Sequence, residues 1–163
     1  MEAFTGKVWV LGDDIDTDII IPTEYLALKT IDDMKQYGFS PLRPELAGQI
    51  EKGDIIVAGK NFGCGSSREQ APGVLKALGV KAVIAKSFAR IFFRNSINNG
   101  LLLIEQPDLH DDIKEGDTIT VKMNEHVDYN GKTYPIAALP ENLMDIIQAG
   151  GLVKAMRKRN GLD

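Results

Sequence analysis

Short apolar runs separated by glycine-containing turns dominate the middle of the chain. Three of them predict buried strands, at Asp54–Ala58, Lys81–Ala85 and Leu101–Ile104. Between the first two, Arg68–Leu78 has helical spacing, and Pro72 is tolerated because it falls in the first turn. The order strand, glycine loop, helix, strand predicts a βαβ unit with a right-handed crossover and parallel neighbouring strands.

The flanking segments add helices and an antiparallel hairpin. A first strand is predicted at Lys7–Leu11, and alternating residues around Asn130-Gly131 predict two antiparallel strands joined by a two-residue turn. Helices are predicted at Ile31–Tyr37, which Gly38 ends as a left-handed residue, and at Phe88–Asn98, Pro140–Ile147 and Leu152–Arg159. We therefore predict an α/β fold in which helices flank a mixed parallel and antiparallel sheet, with residues 1–163 as a single domain.

Composition and charge narrow the possible function classes. The 163 residues include 44% hydrophobic side chains, enough for the core of one ordinary domain. A net charge of −4 gives no electrostatic support for binding a nucleic acid. The first residues lack the basic stretch and long apolar run of a signal peptide, and no apolar run is long enough to span a membrane. We expect a cytoplasmic protein that binds neither nucleic acid nor membrane.

The chain has few soft metal ligands. Cys64 is the only cysteine, and His110 and His126 are the only histidines. They form no spaced ligand set for zinc, and an iron–sulfur cluster normally requires several thiolates. We expect no cofactor in this chain alone, so any cluster must come from a partner. The aspartates of segment 13–18 lack the spacing of a calcium loop, which favours turn capping instead.

Segment 60–70, KNFGCGSSREQ, is the strongest candidate for a ligand site. Its two glycines let the backbone approach a ligand, and the N-terminus of the following helix offers unpaired amides to an anion. Ser66 and Ser67 add hydroxyls, and the Arg68 guanidinium can hold a carboxylate with two parallel bonds. A second interpretation is open, in which the glycines only form a turn, a serine caps the helix and Arg68 is solvated.

Several motifs resemble those of one known family. NFGCGSSREQAP, followed by AVIAKSFARIFFRN and NNGLL, is similar to the swivelling domain of the aconitase superfamily, and the early GDDIDTDIIIP strengthens the likeness. Over essentially the whole chain, the order, spacing and length resemble the small subunits of 3-isopropylmalate dehydratase and archaeal homoaconitase. The resemblance implies that residues 1–163 form a swivelling three-layer β/β/α domain.

The resemblance also implies a reaction. In that family a large subunit carries a [4Fe–4S] cluster and the small subunit closes over it, and a hydroxy-diacid substrate is isomerised by dehydration and rehydration. The leading expectation is isomerisation of isopropylmalate in leucine biosynthesis. By resemblance, Ser66 is catalytic, its alkoxide removing the proton next to a carboxylate, and Gly65, Ser67 and Arg68 bind the substrate. A serine hydroxyl is a very weak base, so amides, a cation and the helix dipole must stabilise the alkoxide.

Substrate choice is expected in a segment that, in the two-subunit family, reaches over the variable group of the substrate. It consists of Tyr25, Leu26, Ala27 and Leu28. Homoaconitase-type members resemble a pattern with an arginine at the position of Ala27, which suits an extra carboxylate. The apolar residues here favour an isopropyl group, because a buried unpaired carboxylate is unfavourable. Lys29 weakens this distinction. The alternatives are a small subunit of homoaconitase or of a related hydroxy-diacid hydro-lyase, and a non-catalytic module that binds an anion.

Four further expectations concern individual segments of the chain. Segment 13–18 supports Arg68, because this segment lies towards the active-site side in the family. Cys64 is either a thiol with a lowered pKa near a helix N-terminus or, more simply, a small filler in the turn. Phe88, Ile91 and Phe92 belong to the core by their helical spacing. Apolar residues in segment 19–28 allow the isolated chain to self-associate.

Overall fold

The computed structural model describes residues 2–161, which form one mixed sheet of seven strands surrounded by helices. The strands are β1 (Phe4–Val10), β2 (Ile55–Ala58), β3 (Ala82–Ala85), β4 (Leu102–Glu105), β5 (Thr118–Lys122), β6 (His126–Tyr129) and β7 (Lys132–Pro135). The helices are α1 (Thr17–Ile20), α2 (Ile31–Lys35), α3 (Leu46–Gln49), α4 (Gln70–Leu78), α5 (Arg90–Asn98), α6 (Leu109–Asp112), α7 (Glu141–Ala149) and α8 (Leu152–Arg159), with a 3₁₀ turn at Thr23–Tyr25. Within this described part, no helix has the length and apolar character needed to cross a bilayer.

Strand β1 divides the sheet, whose order is β4-β3-β2-β1-β5-β6-β7, into two halves. On one side β2 pairs with β1 in parallel, with Val8 opposite Ile55, and β3 and β4 continue in the same direction. On the other side β5, β6 and β7 are antiparallel. Asn130 and Gly131 have positive φ angles of 51° and 81°, as a two-residue type I′ turn requires. The predicted parallel unit, hairpin and mixed sheet are confirmed.

The parallel half is buried on both faces, which explains its continuous apolar runs. Side chains alternate along a strand, so Ile56 packs in one cluster with Leu75 of α4, whereas Ile55 and Val57 pack in a second cluster with Val121 of β5. Full burial of such a side chain contributes about 1.5–3 kcal/mol. Helices such as α4 therefore cover one face of the parallel half, and the antiparallel half covers the other together with Leu109 of α6 and Ile147 of α7. This mixed sheet with flanking helices agrees with the predicted α/β fold class.

The left-handed residue after α2 is Phe39, with a φ of 61°, so the prediction of Gly38 at that position was wrong. A Cβ on Gly38 would lie 3.2 Å from Leu78 Cδ1 and 3.3 Å from Val74 Cγ1, so the missing side chain lets this turn approach α4. The N–H of Phe39 donates to the carbonyl of Ile20 at 3.1 Å, and its ring is completely buried. Tertiary packing thus holds Phe39 in a conformation that its side chain disfavours.

Candidate active site

A glycine-rich loop, residues 59–69, joins the carboxyl end of β2 to the start of α4. Gly63 and Gly65 have positive φ angles of 84° and 88°, which glycine adopts without strain. A Cβ on Gly63 would lie 2.1 Å from Cγ of Phe92, so the loop rests directly against α5. The loop therefore lies at the carboxyl edge of the parallel half, where ligands bind in open α/β sheets.

The segment after β1 runs alongside this loop and is hydrogen-bonded to it. The N–H of Gly63 donates to the carbonyl of Ile15 at 2.7 Å, and the N–H of Thr17 donates to the carbonyl of Cys64 at 2.9 Å. The hydroxyl of Thr17 donates to the carbonyl of Ser66 at 2.7 Å. Three hydrogen bonds thus tie the backbone on either side of Gly65 to one short segment.

Aspartates of segment 13–18 cap backbone groups, as predicted for them. Asp13 Oδ1 accepts from the N–H of Lys60 at 2.7 Å, and Asp16 Oδ1 accepts from the N–H of Ile19 at 2.8 Å as the N-cap of α1. Within residues 2–161, no group of three or more His, Cys, Asp or Glu side chains is arranged to hold a metal ion. The acidic segment therefore organises the backbone around the loop.

The loop and α5 enclose a cavity of about 230 Å³. Its polar lining includes Gly65, Ser66 and Ser67 from the loop and Asn95 from α5, whose Nδ2 donates to Ser67 Oγ at 3.4 Å. Both serines are exposed. Among the described residues, the amide N–H groups of Gly65, Ser66 and Ser67 have no hydrogen-bond partner. Unpaired amides beside two hydroxyls suit an anionic oxygen ligand.

Neither serine caps α4. The helix begins at Gln70 and not at the predicted Arg68, and Glu69 occupies the N-cap position without a side-chain cap bond. The interpretation in which a serine caps the helix is therefore wrong. The donors offered to a ligand belong to the loop before the helix and not to its first turn.

The guanidinium of Arg68 is held by segment 18–23. Nη1 donates to Asp18 Oδ1 at 3.1 Å and to the carbonyl of Ile21 at 2.8 Å, and Nη2 donates to Thr23 Oγ1 at 2.7 Å. The side chain is only 14% exposed, so the interpretation of a solvated Arg68 is wrong. A guanidinium has five N–H donors, which leaves two for a ligand. The hydrogen bond from Arg68 is the main cause that holds the pKa of Asp18 below its usual value.

Cys64 is half-buried in the same loop. Burial raises the pKa of its thiol, and the nearby carboxylates of Asp16 and Asp14 raise it further. The suggestion of a lowered pKa is therefore wrong, because these effects outweigh any helix dipole at this position. The remaining interpretation is a small side chain that fills the turn.

The expected specificity segment lies outside the lining of the 230 Å³ cavity. Its residues are Tyr25 and Leu26, which are half-buried, and Ala27 and Leu28, which are exposed. The ring of Tyr25 stacks on that of Tyr37 with centroids 3.9 Å apart, which fixes the start of the segment. Its connection to the glycine loop is Thr23, which accepts the hydrogen bond from Arg68.

Comparison with known proteins identifies the family to which this geometry belongs. Residues 21–109 match the family described as the aconitase C-terminal domain. The chain is 80% identical over 162 residues to the 3-isopropylmalate dehydratase small subunit of Lachnospira eligens, with 99% of both chains covered. The chain belongs to the aconitase family, among its 3-isopropylmalate dehydratase small subunits. The resemblance inferred from segment 61–72 is confirmed.

Two further relatives extend this likeness across the family. The 3-isopropylmalate dehydratase small subunit 1 of Archaeoglobus fulgidus is 51% identical over 160 residues, which cover 94% of this chain and 99% of that protein. A crystal structure of 3-isopropylmalate dehydratase from Methanocaldococcus jannaschii matches with a TM-score of 0.92 at 40% identity, covering 98% of this chain and 96% of the other. The aconitase-type fold class predicted from the sequence is thus confirmed at the level of the whole described chain.

The sequence of this aconitase-family chain did not predict all the residues that line the cavity. Thr17, Arg90 and Asn95 line it, although none was predicted as a site residue. Ile91, expected in the core, is 58% exposed and lines the cavity, whereas Phe92 is buried as predicted. The helical spacing was right, but α5 begins at Arg90 and not at Phe88, which changes the surroundings of its first turn. In the sequence, Thr17 could be recognised only as a residue of a type that caps helices, placed just before an apolar run.

A second cavity of about 350 Å³ adjoins the first, and Arg90 lines both. Its other lining residues are mostly apolar and include Phe93, Ile104 and Leu139. An acid substrate needs several hydrogen-bond donors, because burying an unpaired carboxylate is unfavourable. The smaller cavity, with its loop amides and serines, is therefore the better candidate for the acid-binding site.

Proposed function

We propose that this chain, with a cluster-bearing large subunit, interconverts 2-isopropylmalate and 3-isopropylmalate by dehydration and rehydration in leucine biosynthesis in the cytoplasm. Its 80% identity to a named small subunit supports the assignment. The observation that carries it is the cavity in which the unpaired amides of Gly65, Ser66 and Ser67 adjoin two exposed hydroxyls. Residues 1–163 act as one swivel domain that closes this half-site over the partner.

In this proposal Ser66 is the catalytic base. As an alkoxide, its Oγ removes a proton from the carbon next to a substrate carboxylate, and it returns the proton when water is added back. The neighbouring amides and the guanidinium of Arg68 stabilise the negative charge on Oγ, which an isolated serine could not carry near neutral pH. Removal of this proton leaves a double bond once the hydroxyl has departed on the side of the large subunit.

Arg68 binds a carboxylate of the substrate with its two remaining N–H donors, and Gly65 and Ser67 contribute an amide and a hydroxyl. The hydrogen bonds to segment 18–23 keep the guanidinium at the loop, so that less side-chain freedom is lost when the substrate binds. This arrangement suits a small hydroxy diacid, with one carboxylate on Arg68 and the reacting carbon beside Ser66.

The proposal assigns the [4Fe–4S] cluster to the large subunit. The donor set of this chain does not fit a cluster, because its single thiol, Cys64, is half-buried and its pKa is raised. The groups that this chain contributes are therefore a base, hydrogen-bond donors and the specificity segment. The exposed apolar residues Ala27 and Leu28 favour an isopropyl group over the extra carboxylate of homoaconitate.

The test is reconstitution with a cluster-bearing 3-isopropylmalate dehydratase large subunit under anaerobic conditions. We expect dehydration of 3-isopropylmalate by the pair, and a loss of at least ~100-fold in kcat for Ser66→Ala, within the range for removing a catalytic proton-transfer group. Ser40→Ala, outside the cavity, is the matched control and should keep full activity. Turnover of homoaconitate in preference to isopropylmalate would favour the alternative diacid enzyme. Anion binding without turnover by any reconstituted pair would favour the non-catalytic module.

A further inference from the structure

We propose that Thr17 is a positioning residue that holds the base Ser66 and the amide of Ser67 in their working orientation. The inference builds on the proposed function, because it concerns the same serine loop. Thr17 acts through the backbone of the loop and does not touch the reacting atoms. Its side-chain proton is committed to the carbonyl of Ser66, to which it donates at 2.7 Å.

The contacts of Thr17 distinguish it from an ordinary capping residue. Its side chain caps no helix, because Asp16 is the N-cap of α1 and accepts from the N–H of Ile19. Instead, the N–H of Thr17 donates to the carbonyl of Cys64 at 2.9 Å, while its hydroxyl reaches Ser66. One residue thus binds two carbonyls of the loop, on both sides of Gly65.

Gly65 is a flexible point of the loop, so the backbone on either side of it needs these two hydrogen bonds to keep its orientation. With a φ of 88°, it has a left-handed backbone conformation that glycine adopts without strain, and it has no side chain that could fix the peptides on either side. A Cβ there would approach only Asp16 Cβ at 3.4 Å and Thr17 Oγ1 at 3.7 Å. The two hydrogen bonds from Thr17 therefore supply an orientation that packing around Gly65 does not provide.

Burial makes the hydrogen bond between Thr17 and Ser66 persistent. Thr17 is only 2% exposed, so water cannot readily replace its hydroxyl as the partner of the Ser66 carbonyl. The hydrogen bond that the Ser66 carbonyl accepts from Thr17 fixes the plane of the peptide between Ser66 and Ser67, and with it the direction of the Ser67 N–H. It also polarises this peptide, which strengthens the N–H as a donor to an anion. Orientation and donor strength both depend on one buried hydroxyl.

The experiment compares Thr17→Val, which keeps the shape but removes the donor, with Thr17→Ser, which keeps the donor. Both are assayed as the reconstituted two-subunit enzyme, with Thr133→Val, an exposed residue of β7, as the matched control. We expect Thr17→Val to lower kcat by about 10–100-fold, as for a misplacement of up to about 1 Å at a reacting group. We expect KM to change by less than about 3-fold, because Arg68 still holds the substrate, and Thr17→Ser to stay within about 3-fold of the unaltered enzyme.

Circular dichroism at the assay temperature reports the folded fraction of each variant. The inference is overturned by three results: a folded Thr17→Val enzyme with unchanged kcat, an equal loss in Thr17→Ser, or a loss of kcat that only follows the loss of folded protein. Failure of the proposed function is a separate result, because the unaltered pair would then show no turnover at all.

Discussion

Replacement of Gly63 by alanine is the sharpest test of how closely the serine loop must rest on α5. The new Cβ would lie 2.1 Å from Cγ and 2.4 Å from Cδ2 of Phe92, on a backbone with a φ of 84°. Since carbon atoms in contact lie about 3.5 Å apart, the loop and the ring must separate by about 1.4 Å. Overpacking costs roughly 1–3 kcal/mol and the left-handed conformation roughly 1–2 kcal/mol more. We expect Gly63→Ala to reduce the free energy of unfolding by roughly 2–5 kcal/mol.

The same displacement should also impair catalysis. A shift of about 1 Å at a reacting group lowers the rate by about 100-fold, so kcat of the reconstituted enzyme should fall by that factor even in the folded fraction. Urea unfolding followed by circular dichroism gives the change in stability, and initial rates give kcat. Gly48→Ala is the matched control, because its Cβ meets nothing within 4 Å and it lies in α3, where alanine is favourable.

A double variant separates the clash from other effects of alanine. Phe92→Ala removes Cγ and Cδ2, the two ring atoms nearest to the new Cβ, so the destabilisations of Gly63→Ala and Phe92→Ala should sum to more than that of the double variant. Strict additivity of the two changes, or a Gly63→Ala chain as stable and active as the Gly48→Ala control, would refute the reasoning from this contact.

Three further predictions concern specificity and titration. Ala27→Arg should lower the ratio of isopropylmalate to homoaconitate turnover, measured by substrate profiling of the reconstituted pair; an unchanged ratio would remove this residue from substrate choice. The folded-state pKa of Asp18 lies below its ordinary 3.8, so its pairing with Arg68 stabilises the fold fully above about pH 4 and is lost as the pH falls. Asp18→Asn should therefore reduce the loss of stability in acid unfolding experiments, and an unchanged acid dependence would contradict the pairing. Burial, and then the hydrogen bond to Asp112, raise the pKa of Tyr134 from 10.0 to about 12, so its contribution is complete below about pH 10 and lost between pH 10 and 12. Tyr134→Phe should weaken this alkaline loss and remove a late step from the phenolate absorbance titration, whereas an alkaline loss of stability as large as in the unaltered chain would show that ionisation of Tyr134 is not linked to folding.

The elements predicted correctly are those whose signals are local. The parallel strands are buried on both faces, so their apolar runs are unbroken, and Asn130-Gly131 carries its turn conformation in its own sequence. The positive φ of Phe39 could not be predicted, because it depends on burial of the ring and on the close approach of Gly38 to α4. The chemistry of Cys64 depends likewise on burial and on carboxylates from another segment.

The residues of the candidate site differ in the same way: some have a local sequence signal, and others depend on contacts made by the fold. Ser66, Ser67 and Arg68 are neighbours in the chain, so their motif could be recognised from the sequence. Thr17 is hydrogen-bonded to a residue 49 positions away, and its proposed role requires the fold that brings both segments together. The sequence predicts Arg68 to be either solvated or ligand-binding, whereas its guanidinium donates three hydrogen bonds to segment 18–23.

In the proposed mechanism, the segment from Thr17 to Thr23 links catalysis to substrate choice. Thr17 holds the serine loop, whereas Asp18 and Thr23 hold Arg68, and the expected specificity segment begins directly after Thr23. A change of side chain in segment 25–28 that moves Thr23 must therefore also move the guanidinium of Arg68, which we propose binds the substrate carboxylate. Because that carboxylate orients the carbon beside Ser66, such a change should reach kcat as well as KM. Under the proposed function, substrate choice thus depends on the reacting geometry and not only on the shape of a pocket.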